Sequence, residues 1–151
     1  MELNEVVDIN TILSEVNVQT REETLEKLAE LLVKENYVED KDKFLEAVYE
    51  REKEGVTGIG NLVAIPHGKS ESVEKVGLSI AVLENEIDWP SLDDRGVKVV
   101  ILIAVGDEKN NSTEHLKLLS LIARRLSNDE VVEQLINSKN KSEIVSILSE
   151  G

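Results

Sequence analysis

Leu25, Leu28, Ala29 and Leu32 recur at i, i+3, i+4 and i+7, an apolar stripe with the period of an α-helix. Thr20-Arg21-Glu22-Glu23 stands just ahead of it and reads as a capping box, with Thr20 as cap and Glu23 reaching back. That helix is expected over about 20–34. A second fits about 41–53, burying Phe44, Ala47 and Val48. The pattern then changes. Gly55, Gly58 and Gly60 punctuate a loop, and 61–65 (NLVAI) reads as a short buried strand that Pro66 stops. The runs 76–83 (VGLSIAVL) and 97–105 (VKVVILIAV) are continuously apolar, as in strands covered on both faces. The polar stretch NEIDWPSLDDRG between them reads as a loop. Ser112 opens a third helix, with Leu118, Leu119, Ile122 and Leu126 on its apolar stripe. Arg124 and Arg125 close it, where cations suit the helix dipole. Asn128 or Asp129 caps a fourth helix to about 136, and a fifth covers about 141–149. No repeat, linker or low-complexity tract interrupts the series. The pattern predicts an α/β fold in a single domain over 1–151, with a mixed, mostly parallel sheet and helices on both faces.

Charge narrows the partners. Seventeen Lys and Arg against 31 Asp and Glu leave a formal net charge of -14. Nucleic acid and anionic membrane surfaces would repel such a chain, whereas a partner with a basic docking face would attract it. The same charge also serves plain solubility. Cysteine is absent, which excludes a disulfide framework, a thiolate nucleophile and a cysteine metal site. The start MELNEVVDIN has neither the basic region nor the apolar run of a secretion signal, so a cytoplasmic location is expected. No segment approaches the roughly 20 apolar residues of a membrane helix, so no direct membrane insertion is expected. Aromatic residues make up 3% of the chain, too few for stacking platforms, so a direct sugar-binding site is not expected.

With no cysteine, His67 and His115 are the only side chains whose ordinary pKa lies near neutrality. His67 sits in Ile65-Pro66-His67-Gly68, just past the end of the expected strand, where α/β sheets collect ligands. Pro66 has no amide hydrogen, and Gly68 has no Cβ to keep an oxygen-rich group from its backbone N–H. A neutral imidazole there is a nucleophile toward phosphorus; a histidine merely sitting in a turn is the plainer alternative. His115 falls on the apolar stripe of the third helix, in its first turn, where the helix dipole disfavours the charged form. It serves either a shared cleft or the core. Arg51 ends the second helix and offers a fork for phosphate oxygens, or pairs with a nearby glutamate in solvent. Thr57-Gly58-Ile59-Gly60 is neither a P-loop nor a dinucleotide motif and reads as a loop forming one wall of the cleft.

Arg51-Glu52, Val56-Thr57-Gly58-Ile59-Gly60, Ala64-Ile65-Pro66-His67-Gly68 and Glu114-His115-Leu116-x-x-Leu119 occur in that order. As an ordered set spanning about 3–148, they resemble the enzyme IIA component of the bacterial phosphoenolpyruvate-dependent sugar phosphotransferase system, fructose/mannitol type. The resemblance implies a phosphotransferase that carries a phosphoryl group on the Nε2 atom of His67. Its donor would be the phosphohistidine of the carrier HPr, and its acceptor a cysteine of a IIB domain coupled to sugar uptake. Fructose is the first choice of sugar, and mannitol or another polyol the second. His115 and Arg51 would support His67, with no cofactor and no metal. Without cysteine, the chain holds no IIB site of its own. The segment 106–111 (GDEKNN) lacks the proline that many relatives have there. Two alternatives remain. One is a nitrogen-system regulatory IIA protein that shares the fold and acts through partner binding. The other is an interaction domain with purely structural histidines.

Overall fold

The two continuous apolar runs form the centre of one six-stranded sheet in the computed structural model, which describes residues 2–107 and 111–149. β5 (Gly77–Ile87) and β6 (Val97–Val105) pair antiparallel, Leu78 opposite Ile103 and Ile80 opposite Ile101. β1 (Ile12–Val16) lies parallel to β5 on one side. On the other side, β3 (Val63–Ala64) and β4 (His67–Lys69) run parallel to β6, one after the other. β2 (Gly58–Gly60) pairs antiparallel with β3. Among the described residues, three of the five strand pairings are parallel, so the sheet is mixed and mostly parallel.

Both faces are covered, which is why β5 and β6 carry apolar residues without alternation. Leu102 and Ala104 face α2 (Arg21–Lys34) and α3 (Lys41–Glu54), packing with Leu28, Leu32 and Phe44. Ile101 and Ile103 face the opposite side, with Leu118 and Ile122 of α4 (Asn111–Leu126) and Leu135 of α5 (Asp129–Ile136). α6 (Lys141–Ser149) completes that layer through Ile144 and Leu148. The N-terminal α1 (Leu3–Val6) and a 3₁₀ turn at Ile9–Thr11 lead into β1. No helix among the described residues is long and apolar enough to cross a membrane.

Several local expectations need correcting. β1 was not expected: Glu15 lies at φ 48° and the register shifts between Leu13 and Val16, so a bulge erases the period-2 pattern. Gly58 and Gly60 belong to a strand rather than a loop. A Cβ on Gly58 would stand 2.6 Å from the Pro90 carbonyl oxygen, so the glycine admits the neighbouring backbone. In α3, Leu45 is buried and Ala47 only half-buried. Thr20 does cap α2 by accepting from the Glu23 N–H at 3.1 Å, but the Glu23 carboxylate reaches past it to the Gln19 N–H at 2.7 Å. Arg125 does more than suit the α4 dipole: its Nη2 and Nε donate to the Ile147 carbonyl at 2.6 and 3.2 Å, tying α4 to α6. The proline-free segment singled out at 106–111 lies in part outside the described residues.

Candidate functional site

His67 is not in a turn past a strand end. The pairs Val63–Val99, Ala64–Val100 and His67–Ile103 keep one register across Pro66, so β3 and β4 are a single strand interrupted at the proline. Pro66 deletes one ladder donor. Its carbonyl still accepts from the Ile103 N–H at 3.0 Å, and the Ser70 N–H reaches the Val105 carbonyl at 3.0 Å. His67 is therefore held on a rigid element, with its side chain on the α4 face of the sheet.

Gly68 consequently faces the other way. A Cβ there would stand 2.7 Å from Val48 Cγ2 and 3.0 Å from Phe44 Cε1. The glycine lets α3 press against β4, so the space left by its missing Cβ is taken up by that helix. Lys69, two residues from His67, returns to the His67 face.

Orientation of the His67 ring follows from one hydrogen bond. Its Nδ1 lies 3.1 Å from the Ile65 carbonyl oxygen. A carbonyl only accepts, so Nδ1 carries the proton and Nε2 keeps the lone pair. The ring is half-buried, and burial is the largest influence holding its pKa below the usual value. The Arg51 charge adds to that, while the Ile65 bond and Glu54 pull the other way. The neutral nucleophile therefore predominates at pH 7.

His115, 48 positions further on, stands beside it. The ring centroids are 5.1 Å apart, with an interplanar angle of 61°. Its Nε2 is buried with no hydrogen-bond partner among the described residues. Burial first, then the neighbouring His67, Lys69 and Arg51, push its pKa down. Arg51 lines the same cleft, of about 320 Å³, with His67, Thr57, Val56, Ile59 and Leu119. Its Nη1 donates to the Gly55 carbonyl at 3.1 Å, so the guanidinium is anchored by the end of its own helix rather than by a glutamate. The structure thus brings all three expected residues together. One wall is β2, from the Thr57-Gly58-Ile59-Gly60 stretch. Among the described residues, no three of His, Cys, Asp and Glu gather as a metal site.

Three residues near this site carry no individual role in the sequence reading. Lys69 would have followed from the period of 2 had β4 been recognised. Thr57 is buried at the cleft, and its hydroxyl joins Trp89 Nε1 to Glu52. Glu52 turns inward from α3, which no local pattern signals. Its pKa is raised, by burial above all, against Thr57, Arg21 and Arg51, which lower it.

The arrangement sets an imidazole lone pair and an anchored guanidinium in one cleft, with a second neutral imidazole packed against the first. It suits acceptance of a phosphoryl group. Residues 5–151 match the family model described as phosphoenolpyruvate-dependent sugar phosphotransferase system, EIIA 2. The chain is 35% identical to the mannitol-specific phosphotransferase enzyme IIA component of Halalkalibacterium halodurans, over 96% of this chain and 95% of that protein. It is 33% identical to the fructose-specific EIIA component of Haloferax volcanii, over 97% of each. Among solved structures, nitrogen regulatory protein IIA-Ntr of Neisseria meningitidis superposes with a TM-score of 0.87 at 25% identity. That likeness covers 97% of this chain and 98% of the other.

Proposed function

This chain belongs to the EIIA 2 family of the phosphoenolpyruvate-dependent sugar phosphotransferase system, and we propose that His67 Nε2 is the atom that carries its phosphoryl group. The observation that supports this assignment is the Nδ1 bond to the Ile65 carbonyl, which leaves Nε2 unprotonated beside His115. Nε2 attacks the phosphorus of phosphohistidine on HPr. A new N–P bond forms as the donor's N–P bond breaks, and the donor imidazole leaves with that electron pair. The proton of His67 stays on Nδ1 throughout, donated to the Ile65 carbonyl. In the second step, a cysteine thiolate of a IIB domain attacks the same phosphorus, an S–P bond forms, and His67 regains its lone pair. Transfer of this kind depends on positioning and charge more than on covalent help. Arg51 and His115 stabilise the equatorial oxygens, and no step calls for a metal or cofactor.

Residues 1–151 act as one such carrier domain, in the cytoplasm, with fructose as the first choice of sugar and mannitol or another polyol as the second. The test supplies phosphoenolpyruvate, enzyme I and HPr, and follows phosphorylation by intact mass. Wild type should gain one phosphoryl group and lose it to a fructose-type IIB domain, with mannitol-type IIB as the competing acceptor. His67→Ala should gain none; stoichiometric labelling of that variant would refute the assignment. The likeness to the nitrogen regulatory protein supports a second reading, in which the phosphoryl state governs binding to a regulatory partner. A phosphorylated protein that transfers to no IIB domain would favour it.

A further inference from the structure

We propose that Glu52 is a positioning residue for His67, acting through a buried chain of hydrogen bonds; this rests on the phosphoryl-carrying role assigned to His67. Glu52 follows Arg51 near the end of α3, yet its side chain is only 4% exposed. A carboxylate buried so deeply is costly unless both oxygens find donors. Oε1 accepts from the Thr57 hydroxyl at 2.5 Å, and Oε2 faces Arg21 Nη1 at 3.4 Å.

Thr57 is itself 3% exposed, and its Oγ1 accepts from the Trp89 indole N–H at 3.1 Å. A hydroxyl has one proton to give, and an indole can only donate. The direction is therefore set: Trp89 donates to Thr57, and Thr57 donates to Glu52. The backbone carries the chain further. The Thr57 carbonyl accepts from the Ile65 N–H at 3.0 Å, and the Ile65 carbonyl accepts from His67 Nδ1 at 3.1 Å. Glu52 thus reaches the imidazole through two residues. Thr57 also lines the cleft directly, and Arg51 is anchored two positions earlier, on the Gly55 carbonyl.

The consequence is chemical. If the Thr57 hydroxyl loses its acceptor, the 55–57 segment and the Ile65 peptide it holds are free to turn. The Ile65 carbonyl then no longer selects the Nδ1–H tautomer. A ring with its proton on Nε2 has no lone pair at the attacking atom. Glu52 therefore governs the fraction of His67 that can react, without touching the phosphoryl group.

Nitrogen-15 NMR of the imidazole reads that tautomer without any phosphotransferase partner, and a transfer assay from phosphorylated HPr reads its effect. Thr57→Val keeps the side-chain shape and Glu52→Ala removes the acceptor. Both should move His67 from the Nδ1–H form to a mixture and slow phosphoryl acceptance by about tenfold, as expected for one lost hydrogen bond. Glu52→Gln retains an acceptor oxygen for Thr57 and should restore both readings. Circular dichroism establishes folding, and Thr57→Val carries the test if Glu52→Ala does not fold. Wild-type nitrogen shifts and rates in Thr57→Val overturn the proposal, as does a Glu52→Gln that behaves like Glu52→Ala. A wild type that takes no phosphoryl, while Thr57→Val still changes the tautomer, would refute the carrier role and support the Glu52 chain.

Discussion

Replacing Gly68 by alanine separates two explanations of the glycine beside His67. If Gly68 exposed its amide to a phosphate, an added methyl would block the ligand and leave the fold alone. The structure puts that methyl on the opposite face, 2.7 Å from Val48 Cγ2, 3.0 Å from Phe44 Cε1 and 3.3 Å from the Val48 backbone nitrogen. Ordinary carbon contacts lie at about 3.5–4.0 Å, so α3 must move outward by several tenths of an ångström. Overpacking of this kind costs about 1–3 kcal/mol. In a chain of this size, each kcal/mol lowers Tm by about 2–4 °C, so thermal unfolding followed by calorimetry should shift down by about 2–12 °C. Activity should fall as well, because Arg51 rides on the displaced helix three residues beyond Val48. Val48→Ala in the Gly68→Ala background vacates the contact and should recover part of the lost Tm relative to the sum of the single changes. A Gly68→Ala protein that melts like wild type but accepts no phosphoryl would refute this reasoning and restore the phosphate explanation.

Three further outcomes follow from the same geometry. His115→Ala should fold, because the residue is only half-buried, and should accept phosphoryl more slowly; unchanged single-turnover kinetics would remove it from the site. Phosphoryl acceptance should be flat around pH 7 and fall on acidification through the lowered His67 pKa, as the lone pair is protonated; a rate profile falling already above pH 6.5, the ordinary histidine value, would contradict this. Both histidine pKa values are depressed in the fold, so the unfolded chain binds more protons below about pH 6.5 and stability should decline there. Denaturant titrations of wild type and a His67→Gln, His115→Gln double variant should diverge on acidification, the variant losing less.

The helices and the two central strands were legible because each encodes its own burial. A 3.6-residue stripe needs one covered face, and the unbroken apolar runs of β5 and β6 need two, so helices on both sides followed without tertiary information. β1 escaped because its bulge at Glu15 destroys the alternation. β4 escaped because Pro66 looks like a stop in local terms. Only its partner β6 reveals that the register continues beyond it.

The chemistry divides along the same line. Lacking cysteine, the chain itself limited nucleophiles near neutrality to His67 and His115, and its ordered motifs added Arg51. Composition and short-range order suffice for that, since they decide which groups exist. The sequence did not disclose that His67 and His115 meet at 5.1 Å, that Gly68 faces α3, or that Glu52 points inward to Thr57. Those facts depend on pairings between residues far apart in the chain. A side chain's direction there is set by the neighbouring strand and the helix packed over it, and local propensity carries no record of either.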